Sequence, residues 1–168
     1  MNETQQANHE PENTEAKFDS CYLIDLADEI YALPRSSETA LSWVQRPQEP
    51  TYLPTLPRWC LGLVNVRNIP VLLIDLRMVL GLPARERDDL GDQARHVFVE
   101  HAGDTLGLLV ERTRRFHSLP VQHMPSDGDF IAATVRADGK TVRVLNLEAI
   151  WKYILQALGA PSNHETAA

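Results

Sequence analysis

The chain has 168 residues, 43% of them hydrophobic and 23% charged, the make-up of one globular domain. A formal charge of −7 and a pI near 5.3 argue against broad attraction to phosphate backbones or anionic membranes. The longest unbroken apolar run, residues 69–74, falls far short of the roughly 20 residues a membrane span needs. With no basic and apolar stretch at the start, the expectation is a soluble, cytoplasmic protein.

Residues 1–18 read as a disordered acidic leader, rich in Asn, Gln, Glu and Thr and interrupted by Pro11. From there to residue 159 the pattern is strand-like, and residues 160–168 read as a second disordered tail. Residues 20–26 alternate, with Tyr22, Ile24 and Leu26 on one face, and a turn at 27–29 leads into residues 30–33, which predicts a hairpin. The next stretch carries Pro34, Pro47, Pro50, Pro54 and Pro57, which restricts it to short or edge strands such as residues 41–44. Apolar runs at 61–64 and 71–76 flank a turn in which Asn68 suits a left-handed conformation. One helical turn follows, stopped by Gly81 and Pro83, and then a charged loop over 84–95.

The second half repeats the rhythm. A hairpin turns at 101–104, a strand runs from about 114 to 119, and another hairpin turns at Asp138-Gly139, a strong short-range signal. One helix is well marked. Leu147, Ile150, Trp151, Ile154, Leu155 and Leu158 form an apolar stripe at helical period, with Asn146 as N-cap and Gly159 as terminator. Nine or ten short strands with one helix point to small barrels rather than a parallel sheet.

Chemistry is not announced. No nucleophile elbow, P-loop or dinucleotide fingerprint is present, so no catalytic residue and no cofactor is assigned. His96 and His101 are five apart and point to opposite faces of a strand. His117 and His123 lack a third ligand cluster, so no metal site is assigned. Asp75, at the end of an apolar strand, suits a cap rather than a general base. Cys21 and Cys60 suit buried hydrophobes in a reducing compartment. Arg112, Arg114 and Arg115 form the densest basic cluster, with Phe116 beside them. They carry the alternative reading, a small barrel that binds nucleic acid or an acidic ligand.

Gly62, Asn65, Arg67, Ile74, Asp75, Leu76, Arg77, Gly81 and Leu82 stand in the order and spacing of the CheW signature, in which a Gly and N-L-R-G precede an apolar strand ending in I-D-L-R and then G-L. Residues 107–111 resemble the family's G-L-x-V-D segment, and Leu145-Asn146-Leu147-Glu148 its L-D-L-E. The likeness covers about residues 20–158. It implies a mainly β fold of two intertwined five-stranded barrels with a C-terminal helix, placed here at residues 19–159. It also implies a non-catalytic adaptor that binds a CheA-type histidine kinase regulatory domain and the cytoplasmic tip of a methyl-accepting chemoreceptor. Gly62, Asn65 and Arg67 are then the candidate receptor-binding residues; the kinase-binding residues stay unassigned. Asn68 stands where the family usually has Gly. Ala40 stands where it tends to carry a carboxylate, which leaves Glu38 or Asp75 to pair with Arg67 if it folds back. Such departures occur among the secondary adaptors of type IV pilus (twitching) systems, the pathway favoured over flagellar swimming.

Overall fold

A computed structural model describes residues 18–36, 38–83, 85–120 and 130–159. The expected leader up to residue 17, the tail and His123 lie outside the described residues, and Phe18 opens the first strand. Among the described residues there are ten strands and two α-helices: β1 (Phe18–Leu26), β2 (Glu29–Pro34), β3 (Thr39–Gln45), β4 (Cys60–Val66), β5 (Ile69–Asp75), α1 (Leu76–Val79), β6 (Arg95–His101), β7 (Asp104–Val110), β8 (Arg112–Pro120), β9 (Ile131–Ala137), β10 (Lys140–Leu145) and α2 (Leu147–Ala157). No helix among the described residues is long and apolar enough to cross a membrane.

Four two-residue hairpins organise the chain. In each, both turn residues have positive φ: Ala27-Asp28, Arg67-Asn68, Ala102-Gly103 and Asp138-Gly139. That is the signature of the type I′ turn, whose twist matches the strands it joins. Asn68 and the Asp138-Gly139 pair follow the expected chemistry; Ala27, Arg67 and Ala102 adopt the left-handed region without a glycine's freedom.

The strands pair in two five-stranded sheets, ordered β8-β1-β2-β10-β9 and β3-β6-β7-β5-β4. The first is built from both ends of the chain and the second from its middle, which is the intertwining expected. Hydrogen bonding closes neither row, although β8 and β9 touch. The two sheets have the same plan. In each, a hairpin lies between an antiparallel edge strand and a parallel inner strand, and that inner strand turns into a helix. The match extends to detail. Asp75 caps α1 and its N–H donates to the Trp59 carbonyl at 2.7 Å; Asn146 caps α2 and its N–H donates to the Phe130 carbonyl at 2.8 Å.

Alternation gives each sheet two apolar faces. Cys21, Leu23, Ala32, Val142 and Val144 fill a small core of the first sheet; Val64, Val71, Leu73 and Phe98 fill that of the second. The opposite faces, with Ile24, Leu26, Tyr31 and Leu33 from one sheet and Ile74, Val97, Val99 and Leu108 from the other, meet in a larger shared core. The α2 stripe enters that core through Leu147, Ile150, Trp151 and Ile154, as expected. Leu155 does not: it is 38% exposed, because the helix meets the sheets along a narrower seam than the full stripe.

A polar cluster links the two sheets. Arg77, on α1 behind the second sheet, is buried and pairs with Glu111, which sits where the chain leaves β7 for β8. Its Nε donates to the Pro83 carbonyl at 2.8 Å, and Glu111 Oε1 also accepts from the Ala27 N–H at 3.2 Å, in the β1–β2 turn.

Two substitutions test this architecture by chemical denaturation. Trp151→Ala removes a core anchor and is expected to cost about 3–5 kcal/mol; a harmless change would identify the α2 stripe as a docking face. Arg77→Ala leaves the half-buried Glu111 with only the looser Arg85 and the Ala27 N–H, and is expected to cost about 1.5–3 kcal/mol. A loss below about 1 kcal/mol would mean that solvent reaches Glu111 freely.

Candidate functional site

The β4–β5 hairpin carries the signature residues. Its tip is exposed: Arg67, Asn68 and Ile69 all face solvent, Ile69 at 62%. Asn65, also exposed, lies opposite Pro70. The residues flanking a two-residue turn exchange the ladder bonds, so the next pair, Asn65 and Pro70, exchanges none and the missing Pro70 N–H costs the hairpin nothing. β5 joins β7 only from Leu72 onward, so the other side of Pro70 is equally undemanding.

Arg67 does not fold back on Glu38 or Asp75. Its guanidinium lies over the Trp43 ring, 4.5 Å from the ring centre, and Trp43 is itself 41% exposed on β3. β3 and β4 are the two edges of their sheet, so this stack brings the sheet's opposite margins together where backbone pairing does not. An exposed cation–π contact of this kind contributes about 0.5–1 kcal/mol and leaves the guanidinium edge free to donate to a carboxylate or carbonyl. Nothing local in the sequence pairs Arg67 with Trp43; the contact depends on how the sheet curves.

Gly62 has a different place. It is buried, with φ +125, at a bulge where β4 slips by one residue against β5. A Cβ there would sit 2.2 Å from the Thr51 carbonyl oxygen. Thr51 bridges to Leu63 by two backbone hydrogen bonds of 2.7 and 2.9 Å and so covers the outer edge of β4. Gly62 shapes the strand that presents Asn65 and Arg67, by the close backbone approach its lack of a side chain permits.

The other candidates have local partners. Asp75 accepts from the Arg77 N–H at 3.0 Å as the α1 cap, and burial pushes its carboxyl above the usual range. Burial likewise raises the Cys60 thiol, which makes it a poor nucleophile. His96 is buried beside Phe98, and His101 Nδ1 lies 2.8 Å from Thr39 Oγ1 with its ring against Trp151. Among the described residues no group of His, Cys, Asp or Glu is arranged to hold a metal ion. The basic cluster divides: Arg114 pairs with Asp25 at 2.6 Å and Arg112 more loosely at 3.8 Å, while Arg115 is exposed. A bulge at Arg114-Arg115, opposite Leu23, shifts the β1–β8 register at this point.

A family model for the CheW-like domain matches residues 20–154. Among solved structures, the crystal structure of scaffolding protein TtCheW from Thermoanaerobacter tengcongensis resembles the chain with a TM-score of 0.66 at 21% sequence identity. The match covers 81% of this chain and 94% of that one, and at such identity it speaks for the fold. No curated protein matches in sequence.

Within the matched span, Gly62 offers the sharpest check on the hairpin's construction. Gly62→Ala combines a glycine-only backbone conformation with a clash against Thr51, and the two together are expected to cost about 3 kcal/mol. Amide exchange at Thr51 and Leu63 should accelerate before that of the β6–β7 hairpin. An alanine accepted with both amides still protected would mean that the Thr51 segment yields without loss.

Proposed function

The chain belongs to the CheW family, and from that membership we propose that it is a non-catalytic adaptor that couples the cytoplasmic tip of a methyl-accepting chemoreceptor to the regulatory domain of a CheA-type histidine kinase. The observation that carries this reading is the outward Arg67 on Trp43, at the tip of the hairpin that bears the family signature. An adaptor needs exposed, preorganised anchors, and Arg and Trp are the residues that most often carry interface energy. Stacking holds the guanidinium in place before a partner arrives, so less side-chain freedom is lost on binding. Asn65 and Ile69 flank it with a polar and an apolar contact. Gly62 serves the same surface from beneath, by setting the course of β4.

The pathway we favour is that of type IV pilus signalling. Support comes from the substitution of Asn68 and Ala40 for the family's usual glycine and carboxylate. The mass-spectrometric identity of a kinase captured from lysate by the full-length protein would distinguish this pathway from flagellar chemotaxis.

Arg67→Ala tests the surface directly. Removal of a central interface arginine is expected to cost about 2 kcal/mol of receptor affinity, roughly thirtyfold. Co-sedimentation with a receptor cytoplasmic fragment should fall accordingly, with kinase binding retained. Thermal stability should change by less than about 1 kcal/mol, the loss of one exposed stack. A variant that melts much earlier and loses both partners equally would make Arg67 a structural residue and refute its assignment to the receptor face.

A further inference from the structure

The residues left over by the adaptor surface gather in a groove of about 520 Å³ where the β1–β2 turn, the start of β8, the β9–β10 turn and the loop after α1 converge. It is lined by Arg85, Arg112, Arg114 and Lys140 on one side of the charge balance and by Asp25, Asp28 and Glu111 on the other. The volume is that of a small-molecule site, but the wall is polar, with Ile30 as its one large apolar residue.

How the charges pair decides what the groove can take. Each of two carboxylates serves two arginines, one closely and one loosely. Glu111 is taken up by the buried Arg77 and meets Arg85 only at 3.4 Å; Asp25 is taken up by Arg114 at 2.6 Å and meets Arg112 only at 3.8 Å. The loosely held pair is the more exposed, Arg85 at 42% and Arg112 at 52%. Lys140 adds a third cation and makes no ion pair among the described residues. In the lining itself, four cations stand against three carboxylates. That surplus is local, on a chain whose formal charge is −7.

We propose that this groove binds a compact phosphoryl dianion, with Arg85, Arg112 and Lys140 as its ligands. Two planar guanidinium forks and one ammonium supply donors enough for the several oxygens of one tetrahedral phosphate, where a flat carboxylate offers only two. The closer pairs, Arg77–Glu111 and Arg114–Asp25, are already made, so the ligand need not break them. Space remains beside a free phosphate for the body of a small phosphate ester. None of these residues belongs to the Arg67 hairpin, so variants of the groove and of the hairpin can be tested separately.

The test uses the full chain and two probes, inorganic phosphate and glycerol phosphate, titrated by amide chemical shift at neutral pH and constant ionic strength. Saturable shifts are expected at Arg85, Arg112 and Lys140, together with a rise in melting temperature that saturates over the same range. Arg85→Gln and Arg112→Gln should each weaken binding about tenfold, the worth of one charge-assisted contact. Arg112→Lys should retain part of it, and Arg115→Gln, outside the groove, should leave it unchanged. Tighter binding of the ester would identify a small phosphorylated molecule as the ligand; equal binding would identify free phosphate. Any of four results overturns the proposal: no saturation, an equal response to matched sodium chloride, succinate binding as tightly as phosphate, or preferential binding of a single-stranded oligonucleotide that survives Arg85→Gln.

Discussion

The pair of the buried Arg77 and the half-buried Glu111 is the contact on which the arrangement of the two sheets depends. Apolar burial holds the sheets together but has no direction of its own. The pair supplies direction, because a guanidinium and a carboxylate removed from water must meet in good geometry or be costly. Arg77 is fixed by α1 and by the Pro83 carbonyl; Glu111 is fixed by the crossing from β7 to β8 and by the Ala27 N–H. Three separate elements are thereby tied at one point, and the groove with its loosely held arginines is a by-product of how that point is built.

The two sheets repeat one plan, and their differences mark where function has been added. The same type of turn that carries Asp138 and Gly139 in the first sheet carries Arg67 and Asn68 in the second. Aspartate and glycine are ordinary occupants of such a turn; a long cation held at positive φ is not. The aromatic residues Trp59 and Phe130 precede equivalent strands, and both meet the ring of Tyr153 on α2, at 5.9 and 5.3 Å. There the repeat serves packing alone.

Local chemistry was legible in the sequence and long-range curvature was not. The hairpins at Ala27-Asp28, Ala102-Gly103 and Asp138-Gly139, the α2 helix with its Asn146 cap, and the cap role of Asp75 all follow from residues within a few positions of one another. The signature from Gly62 to Leu82 was legible as well, and so was the family it belongs to. By contrast, β3 runs from Thr39 to Gln45, longer than its proline-rich neighbourhood led one to expect, because β6 pairs along its length. Arg67 reaches Trp43 only because the sheet brings its two margins together. Gly62 was legible as a signature residue, but not Thr51 as the segment that packs against it. Leu155 fits the helical period and still lies outside the core, since period reports a face and not the width of the seam it meets. The sharing of Asp25 and Glu111 between paired arginines has no signal at all in the linear chain.

The interleaving of the sheets has a consequence for the chain as it is synthesised. The second sheet is contiguous, from β3 to β7, and can complete its pairing as soon as β7 has emerged. The β1–β2 hairpin emerges first and must wait, with Ile24, Leu26, Tyr31 and Leu33 uncovered, until β8 to β10 arrive to finish its sheet. A lone hairpin is at best marginally stable in water, so during that interval its stability comes from whatever the middle of the chain provides. The finished second sheet offers the matching apolar face, a surface against which the nascent hairpin can pack before its own sheet is complete.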